Sequence, residues 1–67
     1  MNDKVIQIEI MLNFLNTLFA KAVFLKNNEL INELNILRHD IYYGDNFNYE
    51  LIIKKLQYIE IKLKIYE

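Results

Sequence analysis

An all-α fold, a small three-helix unit with helices near 3–25, 28–43 and 47–66, is what this 67-residue sequence predicts. Three observations predict it. Apolar residues recur at three- and four-residue steps through nearly the whole chain, no Pro and a single Gly interrupt them, and polar breaks fall only at "KNN" (26–28) and "GDN" (44–46). Residues 1–67 are expected to form a single helical domain, because a chain this short leaves no room for a second core.

The first segment, "KVIQIEIMLNFLNTLFAKAVFL", is apolar around most of a helix. Of its polar members, Glu9, Asn13, Asn16, Thr17 and Lys21 fall on one narrow stripe. At about 1.5 Å per residue the segment is long enough to cross a bilayer. Glu9, Asn13, Asn16 and Lys21 would be expensive there, so the reading is a buried central helix and no membrane partner. In the second segment Leu30, Leu34, Leu37 and Ile41 share one face with Ile31 beside it, opposite Asn28, Asn32, Asn35 and His39. Asn27 or Asn28 is placed to cap its start, and Gly44 to end it with a positive φ.

The third segment holds the one ambiguity of period. "IEIKLKIYE" (59–67) alternates like a strand, yet the heptad run Tyr49, Ile52, Leu56, Ile59, Leu63, Tyr66 passes straight through it. A strand would need a boundary after "IIKKLQY", where no Gly, Pro or Asn stands, so one helix accounts for the whole segment. "VIQIEI" near the start alternates as well. An α+β fold with the two termini paired as strands is therefore the alternative.

Composition bounds function more by exclusion than by indication. The absence of Cys removes disulfides, thiolate metal sites and cysteine nucleophiles, and fits a reducing cytoplasm, the expected location. The opening Met-Asn-Asp-Lys leads to no small-residue cleavage pattern, so no signal peptide is expected. With one His, scattered carboxylates and one Gly, neither a metal site, a phosphate loop nor any cofactor is implied. His39 and Asp40, adjacent on a helix, point about 100° apart, so Asp40 cannot orient the imidazole as in a catalytic triad. There is no Ser, and Thr17 has no base near it in sequence. The expectation is a protein that is not an enzyme.

A chain of this size buries only about 60% of its unfolded surface, so 54% hydrophobic residues is a surplus that a second chain is expected to cover. A homodimer is the commonest solution. Its candidate interface is Phe14, Leu18 and Leu25 on the first helix together with the Tyr58, Ile61 and Ile65 edge of the third. Net charge is −1, which makes nucleic acid an unlikely partner, but the charges are uneven. The middle carries Glu29, Glu33, Asp40 and Asp45 against Arg38 alone, and the end carries Lys54, Lys55, Lys62 and Lys64 against three acids. Such asymmetry can set subunit orientation or steer a charged partner.

The aromatic cluster "IYYGDNFNYE" is the most distinctive local feature. Tyr pairs an apolar body with a polar tip and is favoured at interfaces, so Tyr42, Tyr43, Phe47 and Tyr49 are candidate anchors for a partner protein, with Glu29, Glu33 and Asp40 steering it. The same rings could instead cap the end of the bundle core. The functional expectation is a small non-enzymatic regulator acting by protein–protein binding, such as an inhibitor, antirepressor or antitoxin of the kind phages and mobile elements encode.

Two alternatives come from other classes. Gln57, Ile59, Glu60, Leu63 and Tyr66 resemble in kind a helix of the small sporulation aspartyl-phosphate phosphatases, which would make Gln57 and Glu60 working residues. Leu56 stands where that family has serine and Glu60 where it has aspartate, so no family is assigned. A DNA-binding dimer would use Lys54, Lys55, Lys62 and Lys64.

Overall fold

Three helices, α1 (Asp3–Phe24), α2 (Asn28–Tyr43) and α3 (Tyr49–Ile65), make up the chain in a computed structural model that describes residues 3–44 and 48–66. No strand occurs among the described residues, so the pairing of the two termini as strands is not supported. Each reversal between helices has a local cause. At the end of α1 the Asn27 N–H donates to the Ala22 carbonyl and the Lys26 N–H to the Val23 carbonyl, both at 3.0 Å. This nested pair closes a helix when the residue between adopts left-handed backbone, and Lys26 does so at φ 56°. Asn27 then starts the next helix, its Oδ1 accepting from the Leu30 N–H at 3.1 Å.

The second reversal departs from the sequence expectation. Gly44 has φ −75° and ψ 130°, extended backbone rather than a positive φ, and its N–H donates to the Asp40 carbonyl at 2.9 Å. Glycine is needed there for room: a Cβ would stand 2.5 Å from the Asp40 carbonyl oxygen. Asn48 caps α3, accepting from the Leu51 N–H at 3.1 Å. Among the described residues the left-handed one is thus Lys26, a side chain that pays about 1 kcal/mol or more for that conformation. Lys26→Gly is expected to raise stability by about 1 kcal/mol, read as a higher denaturant midpoint at unchanged slope.

The core is built from four residues of each helix, all at the same four-three-four spacing. They are Met11, Leu15, Leu18 and Ala22; Leu30, Leu34, Leu37 and Ile41; and Ile52, Leu56, Ile59 and Leu63. Short connections make neighbouring helices antiparallel, so equal spacing stacks these residues in matching layers along a body of 38 × 17 × 17 Å. No polar side chain is buried among the described residues.

α1 is central in the sense that α2 and α3 both pack on it while barely touching each other. Arg38 ties α2 to α1, donating from Nη2 to Asn16 Oδ1 at 3.2 Å and lying 4.6 Å from the centre of the Phe19 ring. The far side of α1 is left uncovered, with Ile6, Ile10, Val23 and Phe24 exposed. The expected dimer residues divide accordingly. Leu18 is 3% exposed and belongs to the protomer's own core, so it has no surface to offer a second chain. Phe14 and Leu25 pack half-buried against that core. Tyr58, Ile61 and Ile65 stand exposed on α3.

Candidate protein-binding surfaces

Because α2 and α3 lean on α1 and not on each other, a groove opens between them. Its volume is about 410 Å³, and its lining is Glu33, Ile36, Leu37, Lys54, Lys55, Tyr58 and Ile59. Leu37 and Ile59 are core residues seen through the floor, while Ile36 and Tyr58 rise from the two helices at 55% and 60% exposure. The lips differ in sign. Glu33 stands on the α2 lip and Lys54 and Lys55 on the α3 lip. An ion pair crosses the gap, Lys62 Nζ to Glu33 Oε1 at 4.0 Å, and the same ammonium lies 4.6 Å from the centre of the Tyr58 ring. A partly exposed pair at that distance contributes about 0–1 kcal/mol, too little to draw the helices together.

The second surface is the C-terminal end of α2. Tyr42 and Tyr43 are 62% and 74% exposed. The Tyr43 ring centre is 6.3 Å from that of Tyr42 and 4.8 Å from that of His39, so three rings form a continuous exposed ladder. Asp40, on the same last turns, is exposed, and no basic residue stands in the last turn of α2 to offset the negative end of the helix dipole.

The aromatic cluster that reads as one unit in sequence is divided by the structure. Tyr49, in the first turn of α3, packs half-buried against the core, whereas Tyr42 and Tyr43 face solvent; Phe47 lies outside the described residues. The steering acids divide as well. Glu33 belongs to the groove, Asp40 lies between groove and aromatic end, and Glu29 is exposed at the opposite end of α2. Ile36 has no place in the sequence reading, although it completes a row Glu29, Glu33, Ile36, Asp40, Tyr43 at helical spacing about 100° around the helix from the leucines, a pattern that was legible.

The residues named for other chemistries are placed as follows. His39 is exposed with its ring tilted against that of Tyr43, and the Thr17 hydroxyl donates to the Asn13 carbonyl of its own helix at 3.0 Å. No three of the described His, Asp and Glu side chains come together. Gln57 is exposed and Glu60 half-buried on α3. Of the four lysines, Lys54 and Lys55 line the groove and Lys62 bridges it, while Lys64 projects from another side of α3. No known protein family, curated protein or solved structure matches the chain.

Proposed function

We propose that this protein is a non-enzymatic regulator that acts by binding another protein, and that the client docks on the aromatic end of α2. The observation that carries this reading is the ladder of Tyr42, Tyr43 and His39, exposed yet held ring against ring. Rings already ordered by one another lose little freedom on docking, and tyrosines of this kind supply a large share of interface energy. Asp40 and the uncompensated helix end add negative potential beside the rings. The client segment that fits is therefore apolar with an Arg or Lys that can stack on a Tyr face. Inhibitors, antirepressors and antitoxins of this size work by such occlusion, in the cytoplasm and with no cofactor.

The test compares client capture by the wild-type chain and by Tyr42→Ala/Tyr43→Ala. Both changes are at exposed positions, so the helical circular dichroism spectrum should be retained. Affinity for the captured client is expected to fall at least tenfold. Unchanged affinity in a folded double variant would remove the aromatic end from the reading.

A further inference from the structure

The lips of the α2–α3 groove carry two outward rows of the same spacing. On α2 the row is Glu29, Glu33, Ile36, Asp40 and Tyr43, and on α3 it is Leu51, Lys55, Tyr58, Lys62 and Ile65. Steps of four, three, four and three keep each row on one helix face. The Lys62–Glu33 pair sets their relative level. With the two helices antiparallel, Ile36 then lies level with Tyr58, Asp40 with Lys55, and Tyr43 with Leu51. One helix presents acids where the other presents lysines, and apolar groups where the other is apolar.

We infer that the groove is filled by a second copy of this chain, in a two-fold dimer whose axis runs parallel to the helices. Such an axis lays α2 of one protomer on α3 of the other. It moves nothing lengthwise, so each residue keeps its level, and whatever α2 matches in its own α3 it also matches in the neighbouring copy. Glu33 meets the partner's Lys62, Asp40 meets the partner's Lys55, and Ile36 meets the partner's Tyr58. The two-fold perpendicular to the helices would set α2 on α2, acids against acids, and α3 on α3, lysines against lysines. Charge therefore selects the first arrangement over the second.

The face is modest in area. α2 and α3 are 16 and 17 residues long, about 25 Å at about 1.5 Å per residue, in a body 17 Å wide, so the interface falls below the roughly 800 Å² per partner of a standard one. Its large apolar members range in exposure from Leu51 at 49% to Ile65 at 76% in the single chain. The outer face of α1 is also apolar, but no charge pattern beside it selects an occupant. In the dimer both copies of α2 run the same way, so their two C-terminal ends, each with Tyr42 and His39, stand at one end of the assembly. The dimer does not depend on the client reading, since it needs only the pure chain.

The experiment is sedimentation equilibrium on the purified full chain and two charge-reversed variants, Glu33→Lys/Asp40→Lys and Lys55→Asp/Lys62→Asp. The wild-type chain should be dimeric. Each variant alone sets like charges across the interface at four places and should dissociate at least tenfold more readily. An equimolar mixture restores every pair across the interface, inverted in sign on one side, and should form a heterodimer far more readily than either variant pairs with itself. A monomeric wild-type chain at millimolar concentration overturns the proposal, as does a dimer that neither variant weakens, or a mixture of two helical variants that fails to associate. Should either variant lose its helical spectrum, Asp40→Asn and Lys55→Gln take their place, and an unchanged dissociation constant in both overturns it equally.

Discussion

Leu56→Ala is expected to destabilise the protein by about 3–4 kcal/mol. Leu56 is 0% exposed and belongs to the core cluster to which all three helices contribute. The loss combines the transfer free energy of the removed methyl and methylene groups with the cavity left behind. A chain of 67 residues has a total stability of about 3–10 kcal/mol, so this one substitution removes a third of it or more. Thermal unfolding followed by circular dichroism should show the midpoint falling by roughly 15–25 °C. Val23→Ala, at 49% exposure on the outer face of α1, should move stability by no more than about 0.5 kcal/mol. Equal effects at the two positions would contradict the assignment of the core.

Gly44→Ala is expected to cost about 1–3 kcal/mol, although the φ of Gly44 is one that alanine adopts freely. The added Cβ would stand 2.5 Å from the Asp40 carbonyl oxygen and 3.5 Å from the carbonyl carbon, both backbone atoms of the last turn of α2. No side chain can swing aside to make room. The turn must open, and with it goes the bond from the Gly44 N–H to Asp40. A comparison of substituents separates this cause from the more usual one. At a left-handed position Asn is better tolerated than Ala, whereas at Gly44 the two should be equally damaging because both carry a Cβ. Gly44→Asn matching the wild-type midpoint in urea would show that backbone handedness, and not room, is what glycine supplies.

Both results bear on the surfaces as well as on stability. Asp40 holds the turn through its carbonyl and presents its carboxylate between the groove and the aromatic ladder. Opening the turn displaces Tyr42 and Tyr43 along with it. The Gly44 substitutions should therefore weaken client binding beyond what their effect on stability explains, whereas Leu56→Ala, measured where it remains folded, should not.

The sequence by itself determined the helices, their order and most of the core. Leu30, Leu34, Leu37 and Ile41 on α2, and Ile52, Leu56, Ile59 and Leu63 on α3, are legible because each helix has one apolar row set against polar neighbours, and a period of 3.6 residues is a local property. The polar breaks were legible for the same reason. Only the tertiary structure decided which part of α1 faces inward. With apolar residues around most of its circumference, Met11, Leu15, Leu18 and Ala22 had no local advantage over Ile6, Ile10 and Phe24, and the choice fell to the rows on α2 and α3 that they meet. The same packing separated Tyr49 from Tyr42 and Tyr43, and put the left-handed residue at Lys26 and not at Gly44. It also left α2 and α3 apart, which created the groove. Spacing along one helix records which residues share a face, but which face is covered, and which gap stays open, depends on the shapes that the other helices bring to it.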